Sequence, residues 1–127
     1  MGERATWHIV GHPETPLVGA DLAAAVMDRI STGRFDTTAL SETGAILHVV
    51  SNGERAMVVL LAFAGDPGGH AVDPTATGSS AGFILDNGQN DEYPDTDTVD
   101  VGTAMRIIEA IADGRAVPPR QWHDDRA

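Results

Sequence analysis

The chain contains no cysteine and no lysine. Without cysteine, a disulfide framework, a thiolate nucleophile and a cysteine-ligated metal site are all excluded. Aromatic residues are also scarce, at 5% of the sequence, and the longest apolar run, residues 56–64, is far too short to span a bilayer. The first residues are polar, and no apolar segment with a cleavage site follows them. We therefore expect a cytoplasmic protein with no signal peptide and no membrane partner.

Basic residues are few as well. Eight arginines face nineteen acidic residues, which gives a formal net charge of −11. Such a charge repels phosphate backbones, so direct binding to nucleic acid is disfavoured. It would attract a basic protein partner and speed the encounter with it. The simpler interpretation is that the acidity only keeps the protein soluble.

The first half of the chain predicts a strand at residues 6–10 and an amphipathic helix at residues 18–31. Leu22, Val26 and Ile30 recur every four residues along that helix and form one apolar stripe. Such a stripe is typical of a helix that packs on a sheet.

Two β-rich runs, residues 45–50 and 55–61, flank the dipeptide Asn52-Gly53. Asn-Gly accepts the positive φ angles of a type I′ turn, which predicts a two-residue hairpin turning at Asn52-Gly53. The pairs that this register predicts are Leu47–Val58, Val49–Ala56, His48–Met57 and Val50–Arg55. The first two pairs form an apolar face that should meet the helices, and the second strand should be central in the sheet.

Residues 65–80 are rich in Gly, Pro, Ser and Thr, which predicts a long loop. A second hairpin is predicted at Asn87-Gly88, with a polar return strand over residues 89–93 at the edge of the sheet. A last helix is predicted over residues 100–113, capped by Asp100 or Thr98. The buried stripe predicted for this helix is Val101, Met105, Ile108, Ile111 and Ala112.

These elements follow the order β-α-β-β-β-β-α. The fold class that they predict is α+β, with an antiparallel β-sheet packed against two helices. With 127 residues and a hydrophobic fraction of 42%, the chain suits a single domain over residues 1–127.

Candidates for catalysis are few. His70 and Asp73 lie in the Gly-rich loop and could form an acid–base pair, but no nucleophile motif accompanies them. His8 and His12 are four residues apart but belong to a strand, and no third ligand has metal spacing. We therefore predict that the protein is not an enzyme and has no catalytic residue, metal ligand or cofactor. A small hydrolytic enzyme using His70 and Asp73 stays open as an alternative.

The segment from Asp86 to Asp100 carries six acidic residues and no basic one. It makes a poor calcium loop, because a start at Asp95 places Asp100 where Gly is wanted and Arg106 where Glu is wanted. An acidic edge hairpin better suits a cationic partner, and an aromatic anchor would add affinity. A purely solubilising edge remains the plain alternative. The partner-binding residues that we predict are Asp86, Asn90, Asp91, Glu92, Tyr93, Asp95 and Asp97.

The C-terminal third contains a series of short motifs. Residues 88–94 read Gly-Gln-Asn-Asp-Glu-Tyr-Pro, residues 99–104 read Val-Asp-Val-Gly-Thr-Ala, and Gly114, Pro118-Pro119 and Trp122 follow. This arrangement resembles immunity protein family 1 of bacterial polymorphic toxin systems over about residues 82–122. Gly102 departs from the pattern, because glycine is a poor helix former. The resemblance rests on turns, caps and a packing tryptophan, and we expect Trp122 to dock the tail against the sheet or the last helix.

The resemblance implies a function. Members of that family each neutralise a cognate toxin, often a nucleic-acid deaminase domain made by the same cell. It therefore implies that this chain binds such a toxin and occludes its basic substrate-binding or active site with an acidic surface. An adaptor that binds a basic peptide is the third possibility.

Overall fold

The computed structural model describes residues 5–126, without the side chains of residues 13 and 14. Within these residues, eight strands form the main sheet, and all of their pairings are antiparallel. They are β1 (Trp7–Ile9), β2 (His12–Leu17), β3 (Asp36–Ser41), β4 (Ile46–Ser51), β5 (Arg55–Leu61), β6 (Gly69–Ala71), β9 (Val99–Asp100) and β10 (Trp122–Asp124). The order across the sheet is β10-β6-β5-β4-β3-β1-β2. The short strand β9 is not part of this linear order and pairs with β5.

Two helices, α1 (Ala20–Ser31) and α2 (Val101–Ala112), pack against each other and enclose the core with the sheet. The predicted α+β class, an antiparallel sheet with two helices, is confirmed. No helix within residues 5–126 is long and apolar enough to cross a membrane.

The predicted stripe of α1 is confirmed, because Leu22, Val26 and Ile30 are buried. The stripe predicted for α2 is partly wrong. Its buried residues are Thr103, Ala104, Ile107, Ile108, Ala110 and Ala112. Ile107 and Ile108 are buried together with small residues, whereas Met105 and Ile111 are only partly buried, so the buried face is rotated from the predicted one.

The central hairpin is present, but its predicted register is wrong. Leu47 pairs with Leu60 and Val49 pairs with Val58, two residues further along β5 than predicted. Because side chains alternate with a period of two, this shift keeps the apolar residues on the helix face while changing every partner. Gly53, with a φ of 95°, is the only described residue of the turn with positive φ, so the turn is not type I′.

Several strands have no counterpart among the predicted elements. β3 buries Thr37, Ala39 and Ser41, which are small or polar and leave no apolar pattern in the sequence. β2 contains two prolines, which argued against a strand but are tolerated where β2 forms the edge of the sheet. The predicted loop over residues 65–80 contains β6, which is ordered because it pairs with β5 and β10. The amino-acid composition of the segment gives no sign of this pairing.

The second hairpin forms its own two-stranded sheet from β7 (Ser79–Ile84) and β8 (Asn90–Pro94). The predicted return strand therefore lies on this small sheet and not on the edge of the main one. Gly88, with a φ of 88°, lies in the five-residue connection 85–89, where its N–H donates to the carbonyl of Leu85. Phe83 is fully buried outside the helix-facing core, and β7 contacts β4, so the hairpin packs against the main sheet.

Candidate functional site

Lysine and arginine are absent from a long interval of the chain. Residues 56–105 contain no Lys or Arg. The acidic residues of this interval are Asp66, Asp73, Asp86, Asp91, Glu92, Asp95, Asp97 and Asp100. We call residues 79–97, which comprise β7, β8 and the 3₁₀ turn Asp95–Asp97, the acidic hairpin. It contains five of these acids, and three of the predicted partner-binding residues, Asp86, Asn90 and Glu92, are exposed on its connection or on β8.

The hairpin is fixed to the main sheet by polar contacts as well as by Phe83. The amide nitrogen of Asn52 donates to the carbonyl of Ala81 over 3.1 Å. The backbone N–H of Asp86 donates to the Asp36 carboxylate over 3.0 Å, and that carboxylate also contacts His48 Nε2 at 2.7 Å. These contacts lie near the two ends of β7, so the orientation of the hairpin is set at both.

Three of the predicted residues point outward. Asp86, Asn90 and Glu92 are exposed. Glu92 accepts a hydrogen bond from the Ser79 hydroxyl across the two strands over 2.6 Å and keeps its charge at the surface. These side chains could reach a partner without breaking a buried contact.

Tyr93 and Asp91 form a pair within the hairpin. The Tyr93 hydroxyl donates to Asp91 over 2.6 Å, and its ring meets the buried Phe83 edge-on, with 4.9 Å between the centroids. Burial raises the pKa of Tyr93 to about 12, helped by the hydrogen bond to Asp91 and by its charge. The hydrogen bonds from Tyr93 and Gln89 lower the pKa of Asp91. The predicted aromatic anchor is therefore half-buried and its hydroxyl is already bonded.

Asp95 belongs to a network organised by Arg55. Arg55 donates to Asp73 over 3.1 Å, to the hydroxyl and carbonyl of Thr98, and to the backbone carbonyl of Asp95. The Asp95 carboxylate lies 3.8 Å from Arg55 and accepts a hydrogen bond from Ser80. The hydrogen bond from Arg55 lowers the pKa of Asp73. Arg55 thus positions the end of the acidic hairpin, a role that the sequence did not indicate.

Asp97, the last predicted residue, contacts His70. The His70 ring lies between Asp97, 3.1 Å from Nε2, and Asp125, 2.8 Å from Nδ1. The pair of His70 with Asp73, on which the hydrolytic alternative depends, is not formed, because Asp73 bonds Arg55 and Thr75. His70 also lies in β6 between two strands, and not in an open loop.

Other grooves and possible ligand sites give weaker support for a functional role. A groove of about 550 Å³ between β2 and α1 is lined by Ile9, Leu17 and Arg29 among others, but the Arg29 guanidinium is engaged with Thr37 and the carbonyl of Asp36. No group of three or more His, Asp or Glu side chains within residues 5–126 is arranged to hold a metal ion.

The tail motifs of the resemblance occupy structural positions. Asp100 caps α2 by accepting from the Thr103 N–H over 3.0 Å, and Gly114 follows the helix with a φ of 69°. Trp122 pairs with Ala71 in the sheet and packs partly buried against the core. A Cβ on Gly69 would collide with its indole. The C-terminal tail thus docks against the sheet through Trp122, as predicted.

We expect Trp122→Ala to lower the free energy of unfolding by about 2 kcal/mol, roughly half the cost of removing a fully buried tryptophan. Denaturant unfolding measures this, and Arg120→Ala, an exposed change in the same tail, should leave stability within about 0.5 kcal/mol. An unchanged midpoint for Trp122→Ala would show that the tail does not contribute to stability.

No protein-family model, curated protein or solved structure matches this chain. The resemblance to immunity protein family 1 therefore stays a prediction that rests on the residues quoted for it.

Proposed function

We propose that this protein is an immunity protein that binds a cognate toxin and covers the toxin's basic substrate-binding surface with the acidic hairpin. The observation that carries the proposal is the fifty-residue interval 56–105, which contains eight acids and no Lys or Arg. Two of its three exposed acids, Asp86 and Glu92, belong to a hairpin that is docked to the sheet. The resemblance adds the class of toxin, often a nucleic-acid deaminase domain.

The electrostatics support a basic partner. A toxin that acts on nucleic acid needs a cationic surface to hold phosphates, and the same surface attracts a protein with a net charge of −11. Complementary charge raises the rate of encounter, which suits a cell that must disarm its own toxin. Neutralisation of this kind requires no chemistry from the inhibitor, since occupancy alone excludes the substrate.

The arrangement of the hairpin supports binding without large rearrangement. Phe83 and the contacts of Asn52 and Asp36 hold the hairpin in place, so Glu92 on β8 and Asp86 in the connection are presented from a fixed position. A preorganised surface loses less conformational entropy on binding than a free loop would. Tyr93 is half-buried, with its ring against Phe83 and its hydroxyl bonded to Asp91, and it faces the opposite side of β8 from Glu92.

The direct experiment is protection of cells. The toxin domain encoded next to the gene for this chain is expressed from an inducible promoter, with or without this protein. Survival only in its presence, together with a complex of the two purified proteins, supports the proposal. A neighbouring gene without a toxin domain, or death in both cases, would overturn it. Complex formation without protection would indicate an adaptor for a basic segment.

The binding surface is tested by a triple variant, Asp86→Asn, Asp91→Asn and Glu92→Gln. Each change removes one charge and keeps one oxygen that can accept a hydrogen bond, so the Tyr93 hydroxyl retains an acceptor at position 91. Asp95 and Asp97 are left in place because they bond Arg55, Ser80 and His70. We expect association with the toxin to slow by roughly fivefold at low salt, and the difference from wild type to shrink as salt is raised. Stopped-flow or surface-based kinetics across salt concentrations measure both.

A matched control variant distinguishes the effect of charge in the hairpin on the association rate from the effect of the net charge of the protein. The variant Asp21→Asn, Asp28→Asn and Glu42→Gln also removes three charges, from exposed positions outside the hairpin. It should slow association much less. If the two variants behave alike, the hairpin is not the contact surface and only the total charge matters.

A further inference from the structure

His70 occupies an unusual position between two carboxylates from distant parts of the chain. Asp97 belongs to the 3₁₀ turn at the end of the acidic hairpin, and Asp125 follows β10. Their oxygens lie 3.1 Å from Nε2 and 2.8 Å from Nδ1 of the ring. The side chain of His70 is 18% exposed, whereas those of Asp97 and Asp125 are 50% and 33% exposed, so water reaches the carboxylates more readily than the ring.

The number of available protons decides whether both contacts can form. Ionised carboxylates only accept hydrogen bonds, and a neutral imidazole has a single N–H to donate. In the neutral ring, one nitrogen would direct its lone pair at a carboxylate, which is repulsive. Only the imidazolium form, with a proton on each nitrogen, satisfies both distances at once.

We propose that His70 is a proton-dependent clasp: as an imidazolium it ties the 3₁₀ turn and the C-terminal strand β10 to β6, and losing one proton loosens β10. This inference does not depend on the proposed immunity function. It concerns how tightly the tail is held and how the charge of Asp97, at the end of the acidic hairpin, is balanced.

The titratable groups that surround the clasp lie on β10 and in the tail. On β10, the His123 ring lies 5.4 Å from that of His70, and its Nε2 is 3.7 Å from the other Asp125 oxygen. On β5, His70 faces Val59, which carries no charge. The next tail residue, Arg126, forms a separate ion pair with Asp66 at 2.7 Å.

Two contacts hold the tail, the His70 clasp and the Arg126–Asp66 ion pair, and they respond differently to pH. Arg126 stays protonated, and its hydrogen bonds lower the pKa of Asp66, so their ion pair persists from acid through alkaline solution. Burial, the largest single influence on His70, lowers its pKa, but the hydrogen bonds and charges of Asp125 and Asp97 together exceed it and raise the pKa above the usual 6.5. The clasp is therefore the anchor that titrates.

The direction of the pH effect on stability follows from the raised pKa of His70. Because the pKa of His70 is higher in the folded protein than in the unfolded chain, its contribution is complete below about 6.5 and is lost as the pH rises through the folded-state value. The effect on the folding equilibrium is about tenfold for each unit by which the pKa is raised. A loosened β10 at alkaline pH is the structural consequence.

The first experiment is an NMR titration of the histidine rings in the intact protein. Protons on both nitrogens of His70 at pH 6.5, and a midpoint above 6.5 that falls in Asp97→Asn and in Asp125→Asn, support the clasp. His48 is the internal control, because it contacts a single carboxylate, Asp36, which a neutral ring can satisfy. A His70 ring that is neutral at pH 6.5 would overturn the proposal.

The second experiment measures the tail itself. Amide hydrogen exchange of residues 122–126 is compared between wild type and His70→Gln at pH 6 and at pH 8.5, with each pair at equal pH. Glutamine is uncharged and has one donating group, its NH2, and one accepting atom, its amide oxygen, so like neutral histidine it cannot donate from both ends. We expect the variant to exchange several-fold faster at pH 6 and nearly as wild type at pH 8.5. An equal difference at both pH values would indicate a packing role only and would overturn the proton dependence.

Discussion

Phe83→Ala should lower the free energy of unfolding by about 3 kcal/mol or more. Phe83 is fully buried, lies outside the helix-facing core and stacks edge-on with Tyr93, so it is the main apolar anchor of the acidic hairpin. Removing its ring leaves a cavity between the hairpin and the main sheet. Denaturant unfolding followed by circular dichroism measures the loss.

A second readout places the effect in the hairpin. Tyr93 is the only tyrosine of the chain, so absorbance at alkaline pH follows its ionisation alone. Its midpoint should be near 12 in wild type and should move towards 10 in Phe83→Ala, because burial is the largest cause of the raised pKa. The neighbouring change Ile84→Ala, at a residue that is 44% exposed, should alter neither quantity appreciably. Equal effects at the two positions would contradict the anchor role.

Arg55→Ala should cost about 3 kcal/mol, because it removes the donor for four acceptors around the end of the acidic hairpin. The carbonyl of Thr98, a fully buried residue, would lose its partner, and Asp73 would lose its neutralising charge. Thermal and denaturant unfolding both report the loss. The pKa of Asp73 should return towards its usual range, which an NMR titration of the carboxyl group follows.

Two further variants give this prediction its controls. Arg55→Lys keeps the charge but loses the planar fork of donors, so we expect it to recover only part of the stability. Arg34→Ala removes an equal charge from an exposed position and should change stability by no more than about 0.5 kcal/mol. If Arg55→Lys is as stable as wild type, charge alone matters and the directed hydrogen bonds do not.

Parts of the candidate site could be predicted because their signals are local. The acids of the hairpin, the turn at Asn87-Gly88 and the cap at Asp100 are read within a few residues of sequence, and the structure places all three as expected. The exposure of each acid was not predictable. Glu92 and Asp91 are adjacent, yet one is exposed and the other bonds Tyr93, because successive strand residues face opposite sides.

The sequence by itself determined the α+β class, the two helices, the existence of both hairpins and a surface dominated by negative charge, because periodicity, turn chemistry and composition act over short distances. Only the tertiary structure decided the register of β4 with β5, the separate sheet of β7 and β8, and the partners of Arg55 and His70. Arg55 meets Thr98 across 43 residues, and His70 meets Asp125 across 55. Contacts at such separations depend on how whole elements pack, and no local pattern specifies them.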